Sequence, residues 1–204
     1  MLGLVYAIPL HADEYPTILA LGDSLTQGYG LPEQEGFVPQ LEAWLAANGT
    51  PATVINAGVS GDTTAGGLAR VEWSLTPEVD GVIVALGGND LLRGLFPEDS
   101  RANLQGILQV LADRDLPALL AGLPGPGNYG PEFKQAFDAM YPELAEAFGA
   151  LYYPNFLGAV VANGENSALE SYMQSDGIHP NADGVALIVA DIGPLVQKLI
   201  SDQE

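Results

Sequence analysis

A hydroxyl and an imidazole lie far apart in this chain, each in a setting suited to proton transfer. Ser24 belongs to the stretch ALGDSLTQG, which follows the apolar run Thr17–Leu21, so a buried strand ends in Gly-Asp-Ser and turns at once into a helical segment. Ser, Asp and Gly all suit helix starts, which makes a simple cap the alternative to a nucleophile. A serine nucleophile needs a base, and at neutral pH imidazole is the natural one. Of the two histidines, His11 sits in the apolar N-terminal segment, which leaves His179. It follows Asp176 by three residues in Asp176-Gly177-Ile178-His179-Pro180. That spacing fits a tight turn in which the carboxylate accepts the Nδ1 proton and leaves Nε2 to take the Ser24 proton. Nucleophile, base and orienting carboxylate together make a catalytic triad, an arrangement that occurs on unrelated scaffolds.

A triad also needs donors for the oxyanion of a tetrahedral intermediate. Three are in view: the Ser24 amide at a strand-to-helix junction, the amide of Gly58 after the second apolar run, and the side chain of Asn89 in Leu86-Gly87-Gly88-Asn89-Asp90. Gly-Gly-Asn-Asp reads equally well as a turn with local backbone bonds. Ser60 is a competing nucleophile, because Gly58-Val59-Ser60-Gly61-Asp62 nearly spells the Gly-x-Ser-x-Gly elbow. Its last position is Asp62, and Ser60 is read as a loop residue. Asp23 and Asp90 could suggest a metal. With one histidine beyond the N-terminal segment, no cysteine and no calcium-loop pattern, they are expected to hydrogen-bond the loops instead, with no metal and no cofactor.

The elements that must position these groups are legible as short apolar runs at Thr17–Leu21, Thr53–Ala57, Gly81–Leu86, Ala118–Gly122 and Ala150–Tyr153. Helical periodicity fills the gaps near Gly36–Asn48, Thr63–Leu75, Pro97–Asp113 and Pro131–Phe148, and again from Ala182 to the C-terminus. Five β/α repeats with continuous rather than alternating strands predict an α/β fold: a parallel five-stranded sheet covered by helices on both faces. No linker, composition break or internal repeat divides residues 13–204, which read as a single domain. In such sheets function collects at the carboxyl ends of the strands; Ser24, Gly58, Ser60 and Asn89 each follow one of those runs, and Asp176–His179 stands before the last helix. Trp44 and Trp73 sit at helical spacing with apolar neighbours and are expected in the core, and Asn48-Gly49-Thr50, a formal glycosylation sequon, reads as a helix-ending turn.

Composition narrows the partners. Six basic residues against 26 acidic ones give a formal net charge of −20, which repels nucleic-acid backbones and anionic headgroups. No apolar run approaches a bilayer span, so stable membrane insertion is not expected. The absence of cysteine removes disulfides and thiolate chemistry. Residues 1–12, MLGLVYAIPLHA, resemble the apolar core and small-residue end of a secretory signal without its basic start, which implies a periplasmic or secreted protein.

The set GDSLTQG, NAGVSGDT, LGGND and DGIHP resembles the four sequence blocks of the SGNH, or GDSL, hydrolase superfamily, and the likeness continues through GLARVEWSL, NDLLRGL and NYGPEFKQAFDAMYPELAEAFG. The nearer likeness is to the bacterial exported branch of arylesterases, lysophospholipases and acyl thioesterases. The resemblance implies a flavodoxin-like three-layer α/β/α fold, nucleophile Ser24, base His179, orienting Asp176, and oxyanion contacts from Ser24, Gly58 and Asn89. It further implies a small-molecule ester or lysophospholipid substrate. A −20 chain should repel polyanionic acyl-CoA, so short- to medium-chain esters and lysophospholipids are favoured over CoA thioesters. The apolar segments LTQGYGLPEQEG and LLRGLFPE are candidates for an acyl groove, and Arg93 is expected in a surface salt bridge rather than on a substrate phosphate. A carbohydrate O-acetyl esterase using the same triad is the alternative. A non-catalytic flavodoxin-like module with a phosphate in the first loop is a more remote one, since that loop matches no phosphate-binding pattern and has no lysine nearby.

Overall fold

The computed structural model describes residues 15–164 and 169–202. The leader-like residues 1–12 lie outside them. Five strands form one parallel sheet: β1 (Thr17–Gly22), β2 (Thr53–Gly58), β3 (Gly81–Ala85), β4 (Ala118–Ala121) and β5 (Leu151–Tyr153), in the order β2-β1-β3-β4-β5. β3 and β4 are buried along their whole length, because helices cover both faces, which is why their sequences are unbroken apolar runs.

Alternate side chains of each strand enter different layers. Ile18 and Ala20 of β1 face a cluster completed by α2 (Phe37–Ala47) and α9 (Ala182–Ser201). Leu19 and Leu21 face α3 (Thr64–Ser74), α5 (Pro97–Ala112) and α6 (Pro131–Phe148). The buried positions of α2, namely Phe37, Val38, Leu41 and Leu45, fall on one stripe at helical spacing. Leu41 and Ile192, both fully buried between α2, α9 and the sheet, each contribute roughly 1.5–3 kcal/mol by leaving water. α2 ends at Asn48, followed by Gly49 in the left-handed region at φ 81°, and the Thr50 amide donates back to the Leu45 carbonyl. The sequon is therefore a helix-ending turn, as read. By length and composition α9 is apolar enough to cross a membrane, yet nine of its residues are buried in the protein, where it serves as a core helix.

The two tryptophans part company. Trp44 packs beside the α2/α9 cluster, its ring filling the space a Cβ on Gly193 would need. Trp73 does not enter the core as expected; it is 88% exposed. α3 buries Thr64, Gly67 and Val71, and a residue two places after Val71 points to the opposite side of the helix.

Four short helices carry too few residues to show a period: α1 (Ser24–Gln27), α4 (Gly88–Arg93), α7 (Gly158–Gly164) and α8 (Leu169–Tyr172). Two of them matter most for position. The chain runs outward from β1 to β2 in one direction and from β3 onward in the other, so a crevice opens beyond the carboxyl ends of β1 and β3. α1 and α4 begin directly at those two ends.

Candidate active site

α1 starts at Ser24, two residues past the end of β1. Asp23 caps it, its Oδ1 accepting from the Leu25 amide at 3.0 Å. The helix is one turn long and closes on Gly28 at φ 86°, a conformation that favours glycine. Ser24 thus stands at the first helical position, where the N–H has no intrahelical acceptor and the side chain faces the crevice.

His179 reaches Ser24 from the far end of the chain. Its Nε2 lies 2.9 Å from Ser24 Oγ, and its Nδ1 lies 2.7 Å from Asp176 Oδ2. Asp176 Oδ1 meanwhile accepts from the Ile178 and His179 amides at 2.9 and 3.0 Å, so one carboxylate both shapes the turn and holds the ring. Gly177 makes the turn possible at φ 66°. The hydrogen bond from His179, followed by the two backbone bonds, pulls the Asp176 carboxyl down to about 2, so it stays ionised throughout the neutral range and remains an acceptor for Nδ1–H. That fixes the tautomer with Nε2 unprotonated toward the serine.

Two residues not singled out by sequence hold this loop. Gln174 donates from Nε2 to the carbonyls of Tyr29 and Pro180 at 2.8 and 3.0 Å, tying the histidine turn to the segment after α1. The Tyr29 ring packs on the imidazole with centroids 4.7 Å apart. Nothing in their types or spacing announces these contacts, which join positions about 145 residues apart.

The three expected oxyanion donors divide. Ser24 and Asn89 line the same cavity; Gly58 does not. The Gly58 amide donates to its neighbour Asn56 Oδ1 at 3.0 Å. Its lack of a side chain serves packing, because a Cβ there would sit 2.3 Å from the Gln27 amide nitrogen of α1. Gly58 is therefore corrected from a substrate contact to the seat of α1. Gly61 lines the cavity instead, at φ 81°, and its N–H has no acceptor among the described residues. Asn89 Nδ2 donates to Asp23 Oδ2 at 3.2 Å, a carboxyl that is 3% exposed and that burial pushes up to about 6.

The remaining polar residues are structural. Asp90, also buried, accepts from the Thr64 amide, the Thr64 hydroxyl and the Ser100 hydroxyl, locking α4 to α3 and α5. Asp62 pairs with Arg70 at 2.7 Å, while the Arg70 guanidinium donates to the carbonyls of Ala57 and Gly22 at the ends of β2 and β1. Ser60 lines the cavity, but its hydroxyl donates to Gln27 Oε1, with no base in hydrogen-bond contact among the described residues. Arg93 makes no salt bridge among the described residues; its Nη2 donates to the Gly61 carbonyl at 2.7 Å, because the β2–α3 loop offers a backbone acceptor there. That bond helps hold Gly61 against the site.

The cavity beyond Ser24 has a volume of about 690 Å³ and is lined mainly by apolar side chains. Tyr29, Leu91 and Leu92 come from the two segments expected to form an acyl groove. The loop after β4 adds Leu123, Pro124 and Tyr129, and α7 adds Val161. Lys134 and Asp138 of α6 clamp that loop through both backbone groups of Gly125, and the Tyr129 hydroxyl donates to the Leu91 carbonyl.

Residues 20–187 match the model of the GDSL-like Lipase/Acylhydrolase family. Esterase TesA of Pseudomonas aeruginosa is 36% identical over 185 residues, 90% of this chain and 89% of that protein. Thioesterase 1/protease 1/lysophospholipase L1 of Escherichia coli is 36% identical over 187 residues, 91% of this chain and 85% of that protein. Among solved structures, the SGNH-hydrolase family esterase AlinE4 is 44% identical with a TM-score of 0.74, covering 91% of this chain and 96% of that one. The esterase EstA from Pseudoalteromonas sp., solved with monoethylphosphonate as inhibitor, is 30% identical with a TM-score of 0.81, covering 91% and 98%. With a matched segment running from the last residues of β1 into α9, the chain belongs to the GDSL-like lipase/acylhydrolase family and has the SGNH-hydrolase fold.

Proposed function

We propose that this chain is a serine ester hydrolase in which Ser24 is the nucleophile, His179 the general base and acid, and Asp176 the group that orients His179. The observation that carries the reading is the unbroken relay from Ser24 Oγ through His179 to Asp176, 2.9 Å and 2.7 Å long, at the mouth of an apolar cavity. Its relatives are named as esterases, an arylesterase and a thioesterase/lysophospholipase, in keeping with that chemistry.

The reaction is two-step acyl transfer to water. Ser24 Oγ attacks the ester carbonyl as Nε2 takes its proton, and the carbonyl oxygen becomes an oxyanion held by N–H groups of Ser24, Gly61 and Asn89. The C–O bond breaks as His179 returns the proton to the leaving alcohol, giving an acyl-enzyme. Water then repeats the sequence with His179 again as base, releasing the acid and restoring Ser24.

The lining of Leu25, Leu91, Leu123 and Leu157 suits an acyl chain better than a sugar, which favours short- to medium-chain esters and lysophospholipids over an acetylated carbohydrate. The net charge of −20 disfavours CoA thioesters. The leader-like N-terminus supports export of residues 13–204 as one domain. The test combines fluorophosphonate labelling with a substrate panel. A single adduct on Ser24, abolished in Ser24→Ala, and faster cleavage of p-nitrophenyl hexanoate than of acetylated xylan are expected. An unlabelled folded protein sinks the nucleophile assignment, and a strict preference for acetylated xylan sinks the acyl-ester reading.

A further inference from the structure

Asn89 can serve an oxyanion only if its carboxamide presents nitrogen, not oxygen, to the cavity. The two ends of a carboxamide are nearly the same shape, so packing alone does not choose between them. The neighbour does. Asp23 Oδ2 lies 3.2 Å from Asn89 Nδ2, and an ionised carboxylate only accepts hydrogen bonds. An Asn89 flipped end for end would set oxygen against oxygen.

Asp23 itself has no freedom to adapt. Its Oδ1 accepts from the Leu25 amide, its side chain is buried, and Gly88 closes over Oδ2 so tightly that a Cβ there would lie 3.2 Å away. One N–H of Asn89 is thus committed to Asp23, and the second has no other acceptor among the described residues. This buried charge has no salt-bridge partner among the described residues: Arg70 is engaged by Asp62 and by the carbonyls of Ala57 and Gly22. A buried unpaired carboxylate is costly, and a site that needed only a cap at Ser24 would use a neutral side chain.

We propose that Asp23 is the positioning residue that sets which end of the Asn89 carboxamide faces the cavity, and so whether the site can hold an oxyanion. The inference rests on the triad reading above and concerns a residue that touches no substrate. Protonated, Asp23 acquires a donor and tolerates the flipped amide; ionised, it forbids it. Burial raises its carboxyl to about 6, so the change falls inside the working range of a hydrolase. The groups that act on that ionisation are the Leu25 amide and Asn89, which favour the charge by hydrogen bonding, His179 of the catalytic turn, which also favours it, and Asp62 of the β2–α3 loop, which opposes it.

The test is Asp23→Asn, an isosteric change. The carboxamide it introduces can still accept from the Leu25 amide, and its new NH2 is satisfied when Asn89 turns its oxygen inward, so the fold is kept while the oxyanion donor is lost. Steady-state kinetics on p-nitrophenyl butyrate are measured from pH 5 to 9 for the wild type, Asp23→Asn, Asn89→Ala and the double variant. A fall in kcat of ~10²–10³ with KM changed less than about threefold is expected for Asp23→Asn, as for loss of one oxyanion donor. On the Asn89→Ala background Asp23→Asn should have almost no further effect on kcat. The wild type should lose part of its kcat as pH falls through about 6, where Asp23 gains a proton, and Asp23→Asn should lack that loss. Wild-type kcat in Asp23→Asn, additive losses in the double variant, or a variant that fails to fold by circular dichroism each overturns the proposal. An active Ser24→Ala would instead overturn the triad reading, so the two failures are distinct.

Discussion

The buried carboxylate of Asp23 should cost the protein stability in a way that can be read against pH. Its pKa is raised from 3.8 to about 6, first by burial, with the Leu25 amide, Asn89 and His179 pulling it partly back. Below pH 3.8 the group is protonated whether the chain is folded or not, and it costs nothing. Between 3.8 and about 6 only the folded state keeps the proton, and folding grows weaker as pH rises. Above that window both states are ionised and the full penalty applies. At about 1.36 kcal/mol per pH unit, the displacement from 3.8 to about 6 is worth about 3 kcal/mol. Asp23→Asn removes the charge, so its stability relative to the wild type should rise through that window. Urea unfolding at intervals from pH 4 to 8 reads it, and taking the difference between the two proteins cancels the shared titration of the other carboxylates. Near-equal midpoints at pH 4, a variant more stable by about 3 kcal/mol at pH 8 and unchanged m-values are expected, or roughly 6–12 °C in Tm. A variant less stable at pH 8, or a difference that does not move with pH, refutes the reasoning. The variant should therefore be sturdier and slower at once, the signature of a charge kept for function rather than for the fold.

Further consequences follow from the histidine turn. Asp176→Asn leaves the shape of the turn but replaces an acceptor with a group that can donate to Nδ1, which favours the wrong tautomer; kcat should fall about 10⁴-fold with KM little changed, measured on the same ester. Because the Asp176 carboxyl is lowered to about 2, its contribution to folding is present above pH 3.8 and lost as pH falls toward 2, so a bond-free Asp176→Ala should differ least from wild type in acid unfolding at the bottom of that range. Gly177→Ala meets no atom within 4 Å but places a side chain at φ 66°, so a loss of about 1–2 kcal/mol in urea unfolding is expected, with a lower kcat as the turn shifts.

Much of this was open to inspection in the chain itself, for definite reasons. The central strands β1, β3 and β4 are doubly covered and so read as short unbroken apolar runs; the long helices repeat over two turns or more. Ser24 and the Asp176–His179 pair could be matched because a nucleophile without a base is idle and only one histidine was left to serve. What escaped depends on register at single-residue scale. Gly58 ends β2 and Gly61 stands three residues further on in the loop that follows, and either could have offered an amide to an oxyanion. The choice was made by Asn56, whose side chain reaches the Gly58 amide, and by α1, whose backbone leaves room for nothing but glycine at 58. Trp73 was misread because helical spacing shows that a stripe exists, whereas a residue at the stripe's margin is decided by which neighbour α3 packs against. Arg93 was misread because a backbone carbonyl competes with carboxylates and leaves no trace in composition.

Asp23 shows the deeper limit. Its place beside Ser24 invites a capping role, and it does cap α1. Its second oxygen, however, meets Asn89 from a different strand end, 66 residues away, and only the fold discloses that one carboxylate serves both. The two tasks make opposite demands. A cap is content with any acceptor, neutral or charged, whereas holding a carboxamide in one orientation requires a group that cannot donate. Among side chains of this size only an ionised carboxylate meets both, and it must be buried to reach both partners. The stability cost at neutral pH then follows from the geometry of an oxyanion site built across two strands, and a neutral residue at position 23 that preserved full turnover would break that link.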